Sequence, residues 1–317
     1  MDRDQLSTSN GSKPILITGS HCSGSTWVGK MLSASGDVAY IPEPFNLLHD
    51  PGQCGAKFKY WFTYICSENA SDYEPFLRDT VHLHYSLKAK LDSLYGFLTI
   101  SSWITEAASF ELKRWQKKRP LLKDPLAVLS ADWLASRFGM DVVITIRHPA
   151  AFAESLKSRN WVHPFSHFVA QPELMRDVLF PFEAEIHDFA KKEHDIIDQA
   201  ALLWKIIYHT VDVYRQKHPE WIFVRHEDLA RDPVQNYRSL CQRLNLKFTS
   251  DVQSTIEAHS TKPSPDKTET ELPSNNIRRN SKALIHKWKT RLTCDEISRV
   301  RAKVGEASDK FYSQDDW

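Results

Sequence analysis

Residues Pro14 to Leu32, PILITGSHCSGSTWVGKML, constrain this chain more than any other stretch. Ile15, Leu16, Ile17 and Thr18 form a short apolar and β-branched run of the kind that makes a buried strand. Gly19 to Ser25 is a turn of small residues, after which Thr26, Trp27, Val28, Met31 and Leu32 recur at helical spacing. A strand that enters a helix through a small-residue loop builds an anion cradle. The loop and first-turn amides have no acceptor inside the helix, and the helix dipole favours negative charge there. Gly24 admits a phosphate close to the backbone, and Ser23, Ser25 and Thr26 add hydroxyl donors. The chain is therefore expected to bind a nucleotide or another phosphate ester.

Four further strand candidates follow, Val38–Ile41, Leu121–Lys123, Val142–Ile146 and Ile222–Val224, with helical patterns between them. Strands that alternate with helices predict an α/β fold, a central parallel sheet with helices on both faces. The clearest helix spans about Asp195 to Gln216, with Ile196, Ala200, Leu203, Ile207, Val211 and Tyr214 as its apolar stripe. A second follows Pro149 and carries Phe152 and Leu156 on one face. A third runs from about Pro233 to Leu244 with Tyr237, Leu240, Cys241 and Leu244 inward. The stretch from Asn46 to Arg119 is rich in aromatics (Phe58, Tyr60, Trp61, Phe62, Tyr64, Trp103, Trp115) and reads as a helical insertion over the active edge of the sheet. Residues 259–281 are polar and hold three prolines, which predicts a flexible surface loop or lid. Residues 1–13 are expected to form a disordered tail before one domain over 14–317.

Forty-one basic residues against 40 acidic ones leave a net charge of +1, which argues against a broad nucleic-acid surface or a polybasic membrane anchor. Five cysteines, an odd number without paired metal spacing, fit a reduced, cytoplasmic setting. No His/Cys/Asp cluster has zinc spacing, so no metal is expected. No apolar run approaches the roughly 20 residues that span a bilayer, and the polar N-terminus has no apolar segment of the signal-peptide type.

The loop matches a Walker A motif imperfectly. From Gly19 to Gly24 the glycines fit, but Ser25 and Thr26 stand where Lys–Ser/Thr should follow; from Gly24 to Gly29 the next residues are Lys30 and Met31, and methionine cannot ligate magnesium. The strand DVVITI ends without an acid for a metal. A P-loop kinase or NTPase is thus the weaker reading of the phosphate site. Val142 to Arg159, VVITIRHPAAFAESLKSR, is the second signal: a buried strand delivers Arg147 at its C-terminal end, and Ser155 follows eight residues later on a helix. An arginine so placed can pair bidentately with a phosphate, and a serine can complete the site.

Together these segments resemble the PAPS-dependent sulfotransferase family. HCSGSTW resembles its 5′-phosphosulfate loop and the Arg147/Ser155 unit its 3′-phosphate site, with further echoes in LLKDP (121–125), VRHEDL (224–229) and IRRNS (277–281). The resemblance implies an α/β fold of the P-loop nucleotide-kinase type, PAPS as sulfuryl donor, PAP as product and no metal. It assigns Ser23, Gly24, Ser25, Thr26 and Trp27 to the 5′-phosphosulfate and adenine, with Trp27 stacked on the base. It assigns Arg147 and Ser155 to the 3′-phosphate, and Arg278, Arg279 and Asn280 to a second clamp there. One departure stands out: where the family usually has Lys or Arg ahead of the loop Ser-Gly, this chain has Cys22. A neutral thiol cannot stabilise charge that builds on the leaving phosphate, so either Lys123 substitutes or the protein is a catalytically weakened PAP-binding homologue.

For the base, the resemblance to the carbohydrate and tyrosylprotein branches points to Glu43, flanked by Pro42 and Pro44, with a pKa raised by partial burial. Asp124 is the second candidate, since Pro125 falls where small-molecule sulfotransferases keep a histidine. His21, His163 and His167 are expected on the acceptor side. The acceptor itself is read as a small or sugar-like molecule with a hydroxyl or amine.

Overall fold

A computed structural model describes residues 12–93, 100–261 and 285–317. Its centre is a five-stranded sheet: β1 Ile15–Gly19, β2 Val38–Pro42, β3 Arg119–Lys123, β4 Asp141–Ile146 and β5 Ile222–Arg225. The spatial order is β2-β3-β1-β4-β5, and every neighbouring pair is parallel. Ile15 sits opposite both Leu121 and Asp141, and Pro42 opposite Lys123.

Alternation along the strands sorts the side chains into two cores. Ile15, Ile17, Leu121 and Val143 pack with Trp27, Val28, Tyr237 and Leu240, which come from the Ser25–Ser33 and Pro233–Arg243 helices. Leu16, Leu122, Val142 and Ile144 face the other way, onto Phe152 of the Pro149–Arg159 helix and Leu203 and Ile207 of the long Ile196–Lys217 helix. The fold is thus the α/β sheet with helices on both faces that the alternating pattern implies. Caps set the helix starts: Asp195 Oδ1 accepts from Ile197 N–H at 2.9 Å, and Pro149 opens its helix at a position where a missing N–H costs nothing.

The insertion differs from expectation in its first half. Residues 46–69 hold no helix; a single 3-10 turn at Ala70–Asp72 comes first, and α-helices follow at Glu74–Val81, Leu87–Asp92 and Ile100–Trp115. Side chains of the main body satisfy this irregular backbone instead: His167 Nδ1 accepts from Trp61 N–H at 3.0 Å, Gln171 Oε1 from Tyr64 N–H at 2.8 Å and Ser130 Oγ from Ile65 N–H at 2.9 Å. Phe58 and Phe62 are core, whereas Trp115 is 81% exposed. The expected loop 259–281 starts inside a helix, Ser250–Thr261, and the rest of it lies outside the described residues, as do residues 1–11 of the expected tail.

β1 has β3 on one side and β4 on the other, and the helices that follow β1 and β4 cover opposite faces. The crevice beyond the carboxyl ends of β1 and β4 is therefore a topological switch point, where open α/β sheets bind ligands. The Gly19–Ser25 loop and Arg147 both enter it.

Candidate active site

Two glycines shape the loop. Gly19 has φ +143°, and a Cβ there would lie 2.3 Å from Thr145 O. Gly24, the N-cap of the Ser25–Ser33 helix, has φ +91° and makes no side-chain cap. The first N–H to find an intrahelical acceptor is that of Val28, on Gly24 O at 3.0 Å, so the amides of Ser25, Thr26 and Trp27 have none in their own helix. Ser23 does not offer its hydroxyl as expected. It is 1% exposed, donates to Ser20 O and lies 2.6 Å from Thr145 Oγ1, fastening the loop to β4. A Cβ on Gly24 would also come within 2.5 Å of His226 Nδ1. Gly24→Ala is accordingly expected to lose about 1–2 kcal/mol of stability from the left-handed backbone alone, a drop that chemical denaturation measures; an unchanged midpoint would show that the loop relaxes freely.

Arg147 reaches the same loop from β4. Its Nη1 donates to the Cys22 carbonyl, and Cys22 itself has φ +58°. The Nε–H of Arg147 is buried and finds no partner among the described residues. Ser155, 3% exposed, lies on the helix that follows. The arginine and the loop that the sequence marks for opposite ends of a ligand thus meet directly, at the Cys22 carbonyl.

Trp27 is 8% exposed and sits edge-on to Tyr237 at 5.2 Å and His226 at 5.9 Å, set into the second core. Most of its ring surface is taken up by protein, which leaves little for a stacked base.

Across the crevice, Glu43 follows β2 with φ +47° and donates its N–H to Lys123 O at 2.7 Å. Its Oε1 pairs with Lys123 Nζ, and its Oε2 accepts from Asn46 Nδ2 at 2.9 Å. Burial opposes ionisation here, but the Lys123 ammonium and the Asn46 amide outweigh it and hold the carboxyl below the usual glutamate range. The expectation of a raised Glu43 pKa is therefore reversed. Of the two candidate bases, the one raised is Asp124, fully buried and pushed up to about 7 by desolvation. Asp124 accepts from Phe45 N–H at 2.5 Å and Leu126 N–H at 2.9 Å, so it caps the turn after β3.

His21 packs between Phe152 at 5.1 Å, Phe62 at 5.8 Å and Trp161 at 6.2 Å, and His163 meets the same Phe62 at 5.5 Å. Burial drives His21 down to about 4 and His163 well below its ordinary value, so both rings are neutral at pH 7. His21 and Glu43 also feel each other's charge, which places this aromatic group beside the Glu43–Lys123 pair. His167 is turned to the backbone of Trp61. Arg278, Arg279 and Asn280 lie outside the described residues. Among the described residues no group of His, Cys, Asp and Glu could hold a metal ion, and no helix is long and apolar enough to cross a membrane.

The Sulfotransferase family profile matches residues 14–250. The chain belongs to the sulfotransferase family. Among solved structures, this sulfotransferase is similar to the sulfotransferase domain from the curacin biosynthetic pathway, at 16% identity over 92% of this chain and 97% of that one with a TM-score of 0.47. The sulfotransferase domain of the Synechococcus PCC 7002 olefin synthase is 16% identical over 93% and 96%, with a TM-score of 0.46. A mouse sulfotransferase complexed with PAP is 11% identical over 94% and 85%, with a TM-score of 0.44. No curated protein matches the sulfotransferase chain.

Several residues to which the sequence reading gives no role, although VRHEDL holds two of them and His148 falls near the cleft, also build this sulfotransferase site. His226 packs over Gly24 and Trp27. Glu227, buried, accepts from His148 N–H at 3.0 Å and from the Tyr312 hydroxyl at 2.9 Å, bracing the residue after Arg147. His148 stacks on Trp288 at 4.8 Å. Burial lowers its pKa from 6.5 to about 3. Between pH 6.5 and about 4 the unfolded chain thus binds protons that folded His21 and His148 refuse, so their contribution to stability is lost as pH falls through that window. Asp124 acts in the opposite sense, because its folded pKa of about 7 exceeds 3.8 and its share is lost as pH rises between the two. With His163 also depressed, the histidines prevail, and the melting temperature is expected to rise from pH 4 to 6.5. His148→Phe keeps the stack and should flatten that rise; equal slopes for the two proteins would contradict the assignment.

Proposed function

We propose that this sulfotransferase moves a sulfuryl group from PAPS to a hydroxyl or amine of a small-molecule or sugar-like acceptor, leaving PAP. The observation that carries the reading is the convergence at Cys22: an open helix N-terminus on one side, and on the other an arginine whose Nε–H is buried without a partner among the described residues. Two anion-seeking groups joined at one backbone carbonyl suit a nucleotide that bears phosphate at both its 3′ and 5′ positions. PAPS supplies the activated sulfuryl group; the remaining tasks fall to the chain. The amides of Ser25, Thr26 and Trp27, with the Ser25 and Thr26 hydroxyls, hold the 5′ end, and Arg147 and Ser155 hold the 3′-phosphate. Arg278, Arg279 and Asn280 are read from sequence alone as a second clamp. Lys123 supplies the positive charge that Cys22 lacks. Glu43, ionised at neutral pH, takes the acceptor's proton as the acceptor atom bonds to sulfur and the bond from sulfur to the 5′-phosphate oxygen breaks. His21 and His163, neutral and set among Phe62, Phe152 and Trp161, line the acceptor side.

The chain from 14 to 317 is read as one domain. Its five cysteines form no disulfide with one another, which supports a cytoplasmic setting. Cys22 favours a second reading, a PAP-binding homologue with weak turnover. Calorimetry separates these readings from a kinase: PAP is expected to bind with measurable heat without magnesium, and ATP far more weakly. Labelled-sulfate transfer to a panel of alcohols, phenols and amines then divides the first two, with Cys22→Arg alongside. Turnover by the wild type supports the enzyme; PAP binding with no transfer by either protein supports the homologue.

A further inference from the structure

We propose that Tyr208 is a positioning residue that sets the spacing between the two phosphate-gripping segments, an inference that rests on the bisphosphate reading above. Tyr208 lies on the Ile196–Lys217 helix, is fully buried, and belongs to no motif in the sequence. Its hydroxyl shares a hydrogen bond with Ser20 Oγ at 2.8 Å, accepts the N–H of Arg147 at 3.1 Å and lies 3.4 Å from Thr145 O. Ser20 is the first residue after β1 and Arg147 the first after β4. A single oxygen therefore bridges the mouth of the switch-point crevice, between the strand that feeds the 5′ loop and the strand that delivers the arginine.

One turn earlier on the same helix face, Trp204 Nε1 donates to the Arg147 carbonyl at 2.8 Å. Both backbone polar groups of Arg147 are thus taken by side chains of one buried helix. The rings of Tyr208 and Trp204 pack on each other at 4.5 Å, which leaves Arg147 no backbone freedom at its anchor. Its guanidinium, in turn, meets the Cys22 carbonyl two residues beyond Ser20. The distance between loop and arginine is consequently set from below by Tyr208 and closed above by Arg147. Fixing that distance before the ligand arrives removes an ordering cost from binding. The core does not depend on this bridge alone, because Ser23 Oγ and Thr145 Oγ1 join the same loop to β4 at 2.6 Å.

Calorimetry with PAP on four proteins tests the inference: wild type, Tyr208→Phe, Arg147→Lys and the double variant. Tyr208→Phe is expected to weaken PAP binding about tenfold in the wild-type background and less than twofold beside Arg147→Lys, because the bridge acts through the arginine. In transfer assays the same variant should raise KM for the donor and leave kcat within about twofold. A merely structural hydroxyl lowers the melting temperature but gives equal losses of affinity in both backgrounds, which overturns the proposal. Ser20→Ala removes only the loop side of the bridge; a loss of about threefold supports the proposal, and if Tyr208→Phe does not fold, an unchanged affinity in Ser20→Ala overturns it. No heat from wild-type protein overturns the bisphosphate reading and this inference with it. Wild-type binding with Tyr208→Phe unaffected overturns the inference alone.

Discussion

Arg147→Ala is expected to weaken PAP binding on the order of a hundredfold, while the melting temperature of the free protein shifts by only a few degrees. The asymmetry follows from what the side chain does in each state. Without ligand, Nη1 makes one hydrogen bond to a loop carbonyl and Nε makes none among the described residues. With a phosphate in place, the planar fork can donate twice to an anion in a partly desolvated crevice, and charge-assisted bonds of that kind contribute about 1.5–3 kcal/mol each. Arg147→Lys keeps the charge and loses the fork, so it should fall between the two. Affinity for adenosine 5′-monophosphate, which lacks the 3′ group, should hardly change in either variant. If Arg147→Ala weakened both nucleotides equally, the arginine would be holding the loop and not the 3′-phosphate.

Lys123→Met should lower kcat by about 10²–10³ with a smaller change in KM for PAPS, the effect expected when a preorganised charge is removed from a site where negative charge develops. It has a second consequence that a simple loss of charge would not show. Glu43 is kept below the usual carboxyl range by Lys123 and Asn46 against the pull of burial. Once the ammonium is gone, burial prevails and the Glu43 pKa climbs. A base must be ionised to accept a proton, so the acid limb of the pH–rate profile should move to higher pH in the variant. Transfer rates across pH 5 to 9 check both effects. A reduced rate with an unmoved limb would leave Lys123 in place and remove Glu43 as the base.

All five strands were legible because each is a short run of apolar and β-branched residues between turn residues, and in the three central strands burial on both faces leaves little else for such a run to become. The loop and Arg147 were legible for the same reason, since strand ends are where a parallel sheet presents its chemistry. What stayed hidden depends on partners distant in sequence. Ser23 looked like a ligand for phosphate until Thr145 claimed its hydroxyl. Glu43 looked like an acid that burial would raise, yet Lys123 pairs with its carboxylate, and the carboxyl that burial does raise is that of its rival Asp124. Aromatics such as Phe58 and Trp115 carry no period that tells core from surface, so residues 46–69 passed for helix. Tyr208 and Trp204 were masked because their helix is buried on several sides and its apolar pattern overflows one stripe. The available signal was two aromatics with polar tips, one turn apart, in a segment with little need of them.

The central place of β1 bears on how the chain is made. Its partners are Leu121 and Asp141, each more than a hundred residues downstream. At about 5–20 residues per second, the ribosome releases the second partner roughly 6 to 25 seconds after the first strand. For most of that interval, until Leu121 emerges, an apolar segment that ends as the middle of the sheet has nothing to pair with. Slow refolding from denaturant and better yields at low growth temperature are the expected signs.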